Sequence, residues 1–276
     1  MSPIQLLLFG LLLAGQPQGD VSPAQAAGQL LDEKLPAEQR RRLAESNAER
    51  AAAVVAAMTA DLPAGEAAEE YRRIPWIWRV SVAAGRKNQP EPLRALLDVS
   101  LPQEGEKLRD WQAVVIGGGV VGGISQSGPW PKPRIEELIG DDESLRRRWA
   151  AALADAAAMA DDPKIKPGTR YDALRMIALA PSEAHLAQLA RYLKDANAEL
   201  QMGAVSGLAD VDSPQATKLL AAALPDLAPA NRKLAIDALL RSEDRIKVLQ
   251  GLLDKGQLAA DSLSAAQRQK LDAADR

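Results

Sequence analysis

A two-helix unit recurs through the C-terminal half of this 276-residue chain, and no other feature constrains the fold as strongly. Ala173-Leu174-Arg175-Met176-Ile177-Ala178-Leu179 opens one copy. Met202-Gly203-Ala204-Val205-Ser206-Gly207-Leu208 opens the next, 29 residues on, and Leu234-Ala235-Ile236-Asp237-Ala238-Leu239-Leu240 a third, 32 residues further. A second apolar-periodic stretch follows each, over residues 183–193, 214–224 and 245–253. One pair of short amphipathic helices cannot bury its apolar stripe alone, whereas stacked pairs share a continuous core. The chain is therefore expected to be all-α, with its repeats stacked as an α-solenoid, a class that binds partners along an extended surface.

Composition agrees. Aromatic residues make up only 3% of the chain and alanine and leucine dominate, which suits closely packed short helices and not a β-rich fold. Cysteine is absent, which excludes disulfides, thiolate metal sites, cysteine nucleophiles and cysteine-linked haem. With 34 Lys and Arg against 37 Asp and Glu there is no basic surplus, so nucleic acid is not an expected partner.

Ile4 to Ala14 is an apolar run too short to span a membrane, and Ala24-Gln25-Ala26 has the small-x-small form of a cleavage site, with Gly15 and Gly19 as other cut points. Residues 1–26 read as a signal peptide and the mature chain as periplasmic or secreted, with no integral span after signal removal. Residues 27–127 read as an N-terminal helical region. In it a long helix starts at Leu35-Pro36 and carries Leu43, Ala51, Val54, Val55 and Met58, and a second helix is interrupted at Pro75. Residues 128–133, Gly128-Pro129-Trp130-Pro131-Lys132-Pro133, read as an extended connector, because three prolines in five residues leave little other freedom. Residues 134–276 carry the repeats. Helix starts are marked by Ser182, by Ser213-Pro214 and by the capping-box sequence Ser264-Ala265-Ala266-Gln267.

Gly117, Gly119 and Gly122 stand at the G-x-G-x-x-G positions of a dinucleotide fingerprint, behind an apolar run. That chemistry needs a strand, a tight turn and a helix N-terminus aimed at a pyrophosphate. Here Ser125-Gln126-Ser127-Gly128 and the three prolines follow instead, and Arg134 to Ile139 reads as helix where a second strand is due. The glycines are read as places where helices pack closely, and no cofactor is expected. A nucleotide- or flavin-dependent oxidoreductase using the Gly117–Gly122 loop is the alternative.

His185 is the only histidine and has no second histidine with which to share a metal. The acidic pairs Asp141-Asp142, Asp161-Asp162 and Asp210/Asp212 read as caps and solvated turns. The basic triplets Arg40-Arg41-Arg42 and Arg146-Arg147-Arg148 read as solvated helix faces. Trp76, Trp78, Trp111, Trp130 and Trp149 cluster in sequence with Tyr71 and read as core, except Trp130, which its flanking prolines place near the surface. Trp130, Tyr171, Arg175 and His185 are the residues expected on an interaction surface.

Four stretches resemble a known family: residues 71–80 (Tyr71-Arg72-Arg73-Ile74-Pro75-Trp76-Ile77-Trp78-Arg79-Val80), residues 108–119 ending in the triple glycine, residues 168–176 and residues 199–208. They are similar to the HEAT-like helical region of large exported planctomycete proteins, which join it to a propeller-type membrane-bound dehydrogenase domain and a cytochrome-c-like haem domain. The resemblance covers roughly residues 36–276. It implies a right-handed α-solenoid of HEAT-like helix pairs, export, and a protein partner, with a redox enzyme as the candidate. It carries no redox chemistry to this chain, which has neither a propeller nor the cysteines for haem attachment.

Overall fold

The computed structural model describes residues 21–180 and 182–274, and among these residues every regular element is helical. The first part holds α1 (Pro23–Leu31), α2 (Ala37–Ser46), α3 (Ala51–Thr59), α4 (Ala67–Lys87) and α5 (Pro90–Ser100). One continuous rod follows, made of α6 (Asp110–Ala113), a π-helical segment (Val114–Val121) and α7 (Gly122–Ser127). Then come α8 (Pro131–Ile139), α9 (Glu143–Asp161), α10 (Pro167–Ala178), α11 (Glu183–Tyr192), α12 (Ala198–Ala209), α13 (Pro214–Ala223), α14 (Pro229–Leu239), α15 (Glu243–Asp254) and α16 (Ala265–Ala274). No helix among the described residues is long and apolar enough to cross a membrane.

The helices that open the three repeat copies lie side by side, α10 on α12 and α12 on α14, while α13 packs on α14 and α15. The α10–α12 spacing depends on two glycines. A Cβ at Gly203 would lie 2.9 Å from Tyr171 Cα, and one at Gly207 2.9 Å from the Leu174 carbonyl oxygen. The expected caps form: the Ser182 hydroxyl accepts from the His185 N–H at 3.1 Å, and the Ser213 hydroxyl from the Ala216 N–H at 3.1 Å. Ser264 and Gln267 exchange bonds of 2.9 and 3.3 Å.

The N-terminal half is organised differently. Every residue from Trp111 to Ile124 is buried, so the rod is the core of this half, clasped by α4 and α10 with α5 alongside. A helix apolar on all sides is stable only when covered on all sides. Its N-terminus is closed by the buried Glu70 carboxylate, which accepts from the Trp111 N–H at 2.9 Å and pairs with Arg109 at 3.2 Å. A negative charge there complements the positive end of the helix.

Several local expectations are corrected. The long helix from Pro36 breaks at Asn47, where a 3-10 turn (Ala48–Arg50) separates α2 from α3 and the Asn47 side chain donates to the Leu43 carbonyl at 2.8 Å. Pro75 does not interrupt α4. Its ring is exposed, the helix loses one N–H at that point, and the burial of Ile77, Val80, Ser81 and Ala84 against the rod outweighs that loss. The 128–133 segment is not an extended connector. Only residues 128–130 are non-helical, because Pro131 takes the first position of α8, where a missing N–H costs nothing. Arg148 is buried, not solvated. It donates to the Pro102 and Leu101 carbonyls at 3.0 and 2.7 Å and pairs with Asp98 at 2.5 Å, sealing the end of α5.

The Ile4–Ala14 run, Gly15 and Gly19 lie outside the described residues. Ala24-Gln25-Ala26 lies inside α1, which starts at a capping box between Ser22 and Gln25 and buries Ala26 and Leu30 completely.

Candidate functional site

Where α4, α10 and α12 meet, the surface opens into a cleft of about 620 Å³. One wall comes from the Pro75 region of α4, with Tyr71, Ile74 and Trp78. The other comes from the first turns of α10 and from Glu199 and Met202 on α12. Val114 of the rod and Asp172 of α10 complete the lining. Pro75 also removes the helical N–H that would otherwise face the Tyr71 carbonyl at the cleft edge.

Asp172 is the chemically unusual member. It is 6% exposed, and its carboxyl lies against the rod, with Oδ1 only 2.6 Å from where a Gly118 Cβ would stand. Burial pushes its pKa well above the ordinary carboxylate range. Arg175 opposes that shift and Glu199 adds to it, and no hydrogen bond from a described group contributes. A carboxyl desolvated without donors retains its proton. The folded chain thus holds one more proton here than the unfolded chain between the ordinary carboxylate pKa and the raised value, and stability from this group falls as pH rises through that window. Asp172→Asn is expected to flatten that slope, so denaturant melts of the two proteins should diverge most at the upper end of the window. Parallel profiles would refute the assignment.

Beside it, the Tyr71 hydroxyl donates to Asp110 in a short contact and accepts from the Lys166 N–H at 3.4 Å. Burial raises the pKa of both Tyr71 and Asp110. The Lys166 ammonium stands 3.7 Å from the centre of the Tyr71 ring, so this ring face already receives a cation. The Glu199 carboxylate reaches the N-terminal turn of α10, 3.3 Å from where a Gly168 Cβ would be.

Below the cleft is a buried charge network. Arg175 donates to Asp210 through Nε at 3.1 Å and Nη2 at 2.5 Å. Burial opposes the Arg175 charge, but the attraction of Asp210 outweighs it and holds the pKa above the ordinary arginine value. Arg241 approaches Asp210 at 3.5 Å and donates to the Ala209 carbonyl and the Ser125 hydroxyl at 2.8 and 3.2 Å. Arg245, 1% exposed, donates to the Leu208 and Ala238 carbonyls at 3.1 Å each. Burial and the neighbouring Arg241 push its pKa down to about 10. Trp130 lies under both guanidiniums, 4.2 and 5.0 Å from its ring centre. This stack joins the end of the rod to α15 and the turn before it.

The four expected surface residues therefore separate. Tyr171 lines the cleft, half-buried, with its hydroxyl 3.2 Å from that of Ser206. Trp130 is half-buried under arginines, and His185 faces the Ala180 carbonyl at 2.6 Å through Nδ1. Arg175 is inside the protein, because Asp210 neutralises it there. Asp210 itself, read from sequence as a solvated cap, is 1% exposed.

Gly117, Gly119 and Gly122 do not form the strand and turn of a dinucleotide fingerprint. They lie in mid-rod, covered by the Asp172 backbone, Ser81 and Arg175 respectively. Asp172 was not singled out from sequence. A lone acid on the apolar face of the first repeat helix, between Tyr171 and Ala173-Leu174, was the available signal. No protein-family model matches the chain, and neither a curated protein nor a solved structure shows significant similarity to it.

Proposed function

We propose that this chain is a non-catalytic helical-repeat scaffold, an α-solenoid of HEAT-like pairs through its C-terminal half, that docks a protein partner in the Tyr71–Trp78–Tyr171 cleft. The observation that supports this most is the cleft: open, aromatic and largely apolar, with an acid in its lining that receives no hydrogen bond from the described residues. Ligand sites of this volume combine apolar walls with a few placed polar groups. The walls stand on helices whose spacing is locked by glycine contacts, so little ordering cost falls on binding. The resemblance to exported planctomycete helical regions supports a periplasmic or secreted setting with a redox enzyme as partner. Cleavage of the leader then falls ahead of Ser22, which keeps α1 whole.

The test is site-specific crosslinking in extract of the native host. A benzophenone amino acid at Met202, in the cleft, should capture one discrete protein, and the same group at Gln39, outside it, should not. Trp78→Ala should abolish the capture. Equal capture from both positions, or none from Met202, would overturn the reading.

A further inference from the structure

We propose that the cleft receives the side chain of a lysine presented by the partner protein, its ammonium set against Asp172 and its methylenes held among Tyr71, Trp78 and Tyr171. The inference rests on the reading that a partner docks in this cleft, and it names the group that enters.

The positive charges around the cleft already have partners. Lys166 lies on Tyr71, and Arg175 is bound to Asp210. Arg79 lies 5.7 Å from the Trp76 and Trp78 ring centres, on the aromatic faces of its own helix. The N-terminal turn of α10 has the Glu199 carboxylate and the Tyr71 hydroxyl close by, and Tyr71 in turn binds Asp110. Asp172 is the group left over: an acid more than nine-tenths buried, lining the cleft, with no hydrogen-bond donor among the described residues. A buried carboxylate is stable when a hydrogen-bonding cation supplies what water no longer does.

Shape selects among cations. Aromatic faces attract ammonium groups, and the apolar lining suits a four-carbon stem better than a bare ion. The contact of Lys166 with Tyr71 shows the chain itself placing a lysine on one of these rings. The cleft, at about 620 Å³, is also far larger than one alkylammonium group, and its outer lining of Ile74, Pro75, Pro167 and Met202 is left to cover main chain on either side. That favours a lysine within a polypeptide over a free amine. Because burial keeps Asp172 protonated above the usual range, an incoming ammonium displaces that proton to solvent. Binding therefore tightens as pH rises, up to the pH at which Asp172 ionises without a ligand.

Full-length protein is titrated with Nα-acetyl-lysine methylamide while Trp fluorescence and heat are followed. Its neutral isostere, Nα-acetyl-norleucine methylamide, and n-butylamine are titrated alongside. The lysine probe should bind about tenfold more tightly than norleucine and more tightly than butylamine. Asp172→Asn should bring the lysine probe down to the norleucine level and remove its pH dependence. Glu199→Gln, an exposed change that leaves the fold intact, should weaken the probe a few-fold, and Lys166→Gln should strengthen it by freeing Tyr71. Equal binding of lysine and norleucine, or an unaltered pH profile in Asp172→Asn, would overturn the lysine assignment while leaving a Met202 crosslink standing. Butylamine binding as tightly as the lysine probe would overturn the protein source in favour of a free amine.

Discussion

Gly117→Ala is expected to destabilise the protein by about 3 kcal/mol or more, with a fall in Tm on the order of 10 °C. A Cβ at this position would stand 2.2 Å from the Asp172 carbonyl oxygen and 2.8 Å from its carbon. Both are backbone atoms of α10, so relief requires moving one helix away from the rod. Gly117 belongs to the π-helical segment, and its widened turn is packed between α4 and α10. Gly123 and Gly85 repeat the situation across the other contact, where a Cβ at Gly123 would lie 2.5 Å from Gly85 Cα. The contrast is Gly251, in mid-helix with open space around the same position. There the alanine should stabilise by roughly 0.5–1 kcal/mol through helix propensity alone. Thermal melts of both variants decide the matter. A Gly117→Ala protein that melts with the wild type would mean that the rod is not packed as described.

Asp210→Ala should cost about 3–5 kcal/mol, the range for removing one partner of a buried ion pair. Asp210 is 1% exposed and receives two bonds from Arg175, with Arg241 at 3.5 Å. Without it, Arg175, Arg241 and Arg245 would share one interior region with no carboxylate of the described residues bonded to them. Burial already pulls the Arg241 and Arg245 pKa values down with Asp210 in place. The second variant is the double substitution of Asp210→Ala with Arg175→Met, which removes both charges of the central pair. It should recover a large share of the loss, since replacing a buried pair by apolar groups is far less costly than breaking it. Chemical denaturation measures both. A loss below 1 kcal/mol for Asp210→Ala, or a double variant no better than the single one, would show that the network is solvated after all.

Much of the helical pattern was readable because it is local. The repeat openings at Ala173, Met202 and Leu234 follow from apolar spacing, and Ser182, Ser213 and Ser264 cap through bonds to residues three positions on. Pro75 and the 128–133 segment were misread because proline was weighed as a local breaker. One lost hydrogen bond in α4 is small against the face that helix buries, and a proline at the start of α8 loses nothing. Arg148, Arg175 and Asp210 were misread for a related cause. Charged residues belong at the surface unless a specific partner meets them inside, and the partners here lie 35 to 50 positions away in the chain. The cleft combines both difficulties, since Tyr71 and Lys166 are 95 residues apart and touch only in the folded state.

The amino-acid sequence by itself determined that this chain is helical, where most helices begin, and that disulfides and thiolate chemistry are excluded, because propensity, capping and composition act over a few residues. Tertiary structure alone decided that the triple glycine would be the covered centre of a helical rod, that Asp210 would neutralise an interior arginine, and that Asp172 would be left beside three aromatic rings without a donor among the described residues. Those outcomes depend on distances between segments far apart in the chain, and such distances are set only when the helices pack.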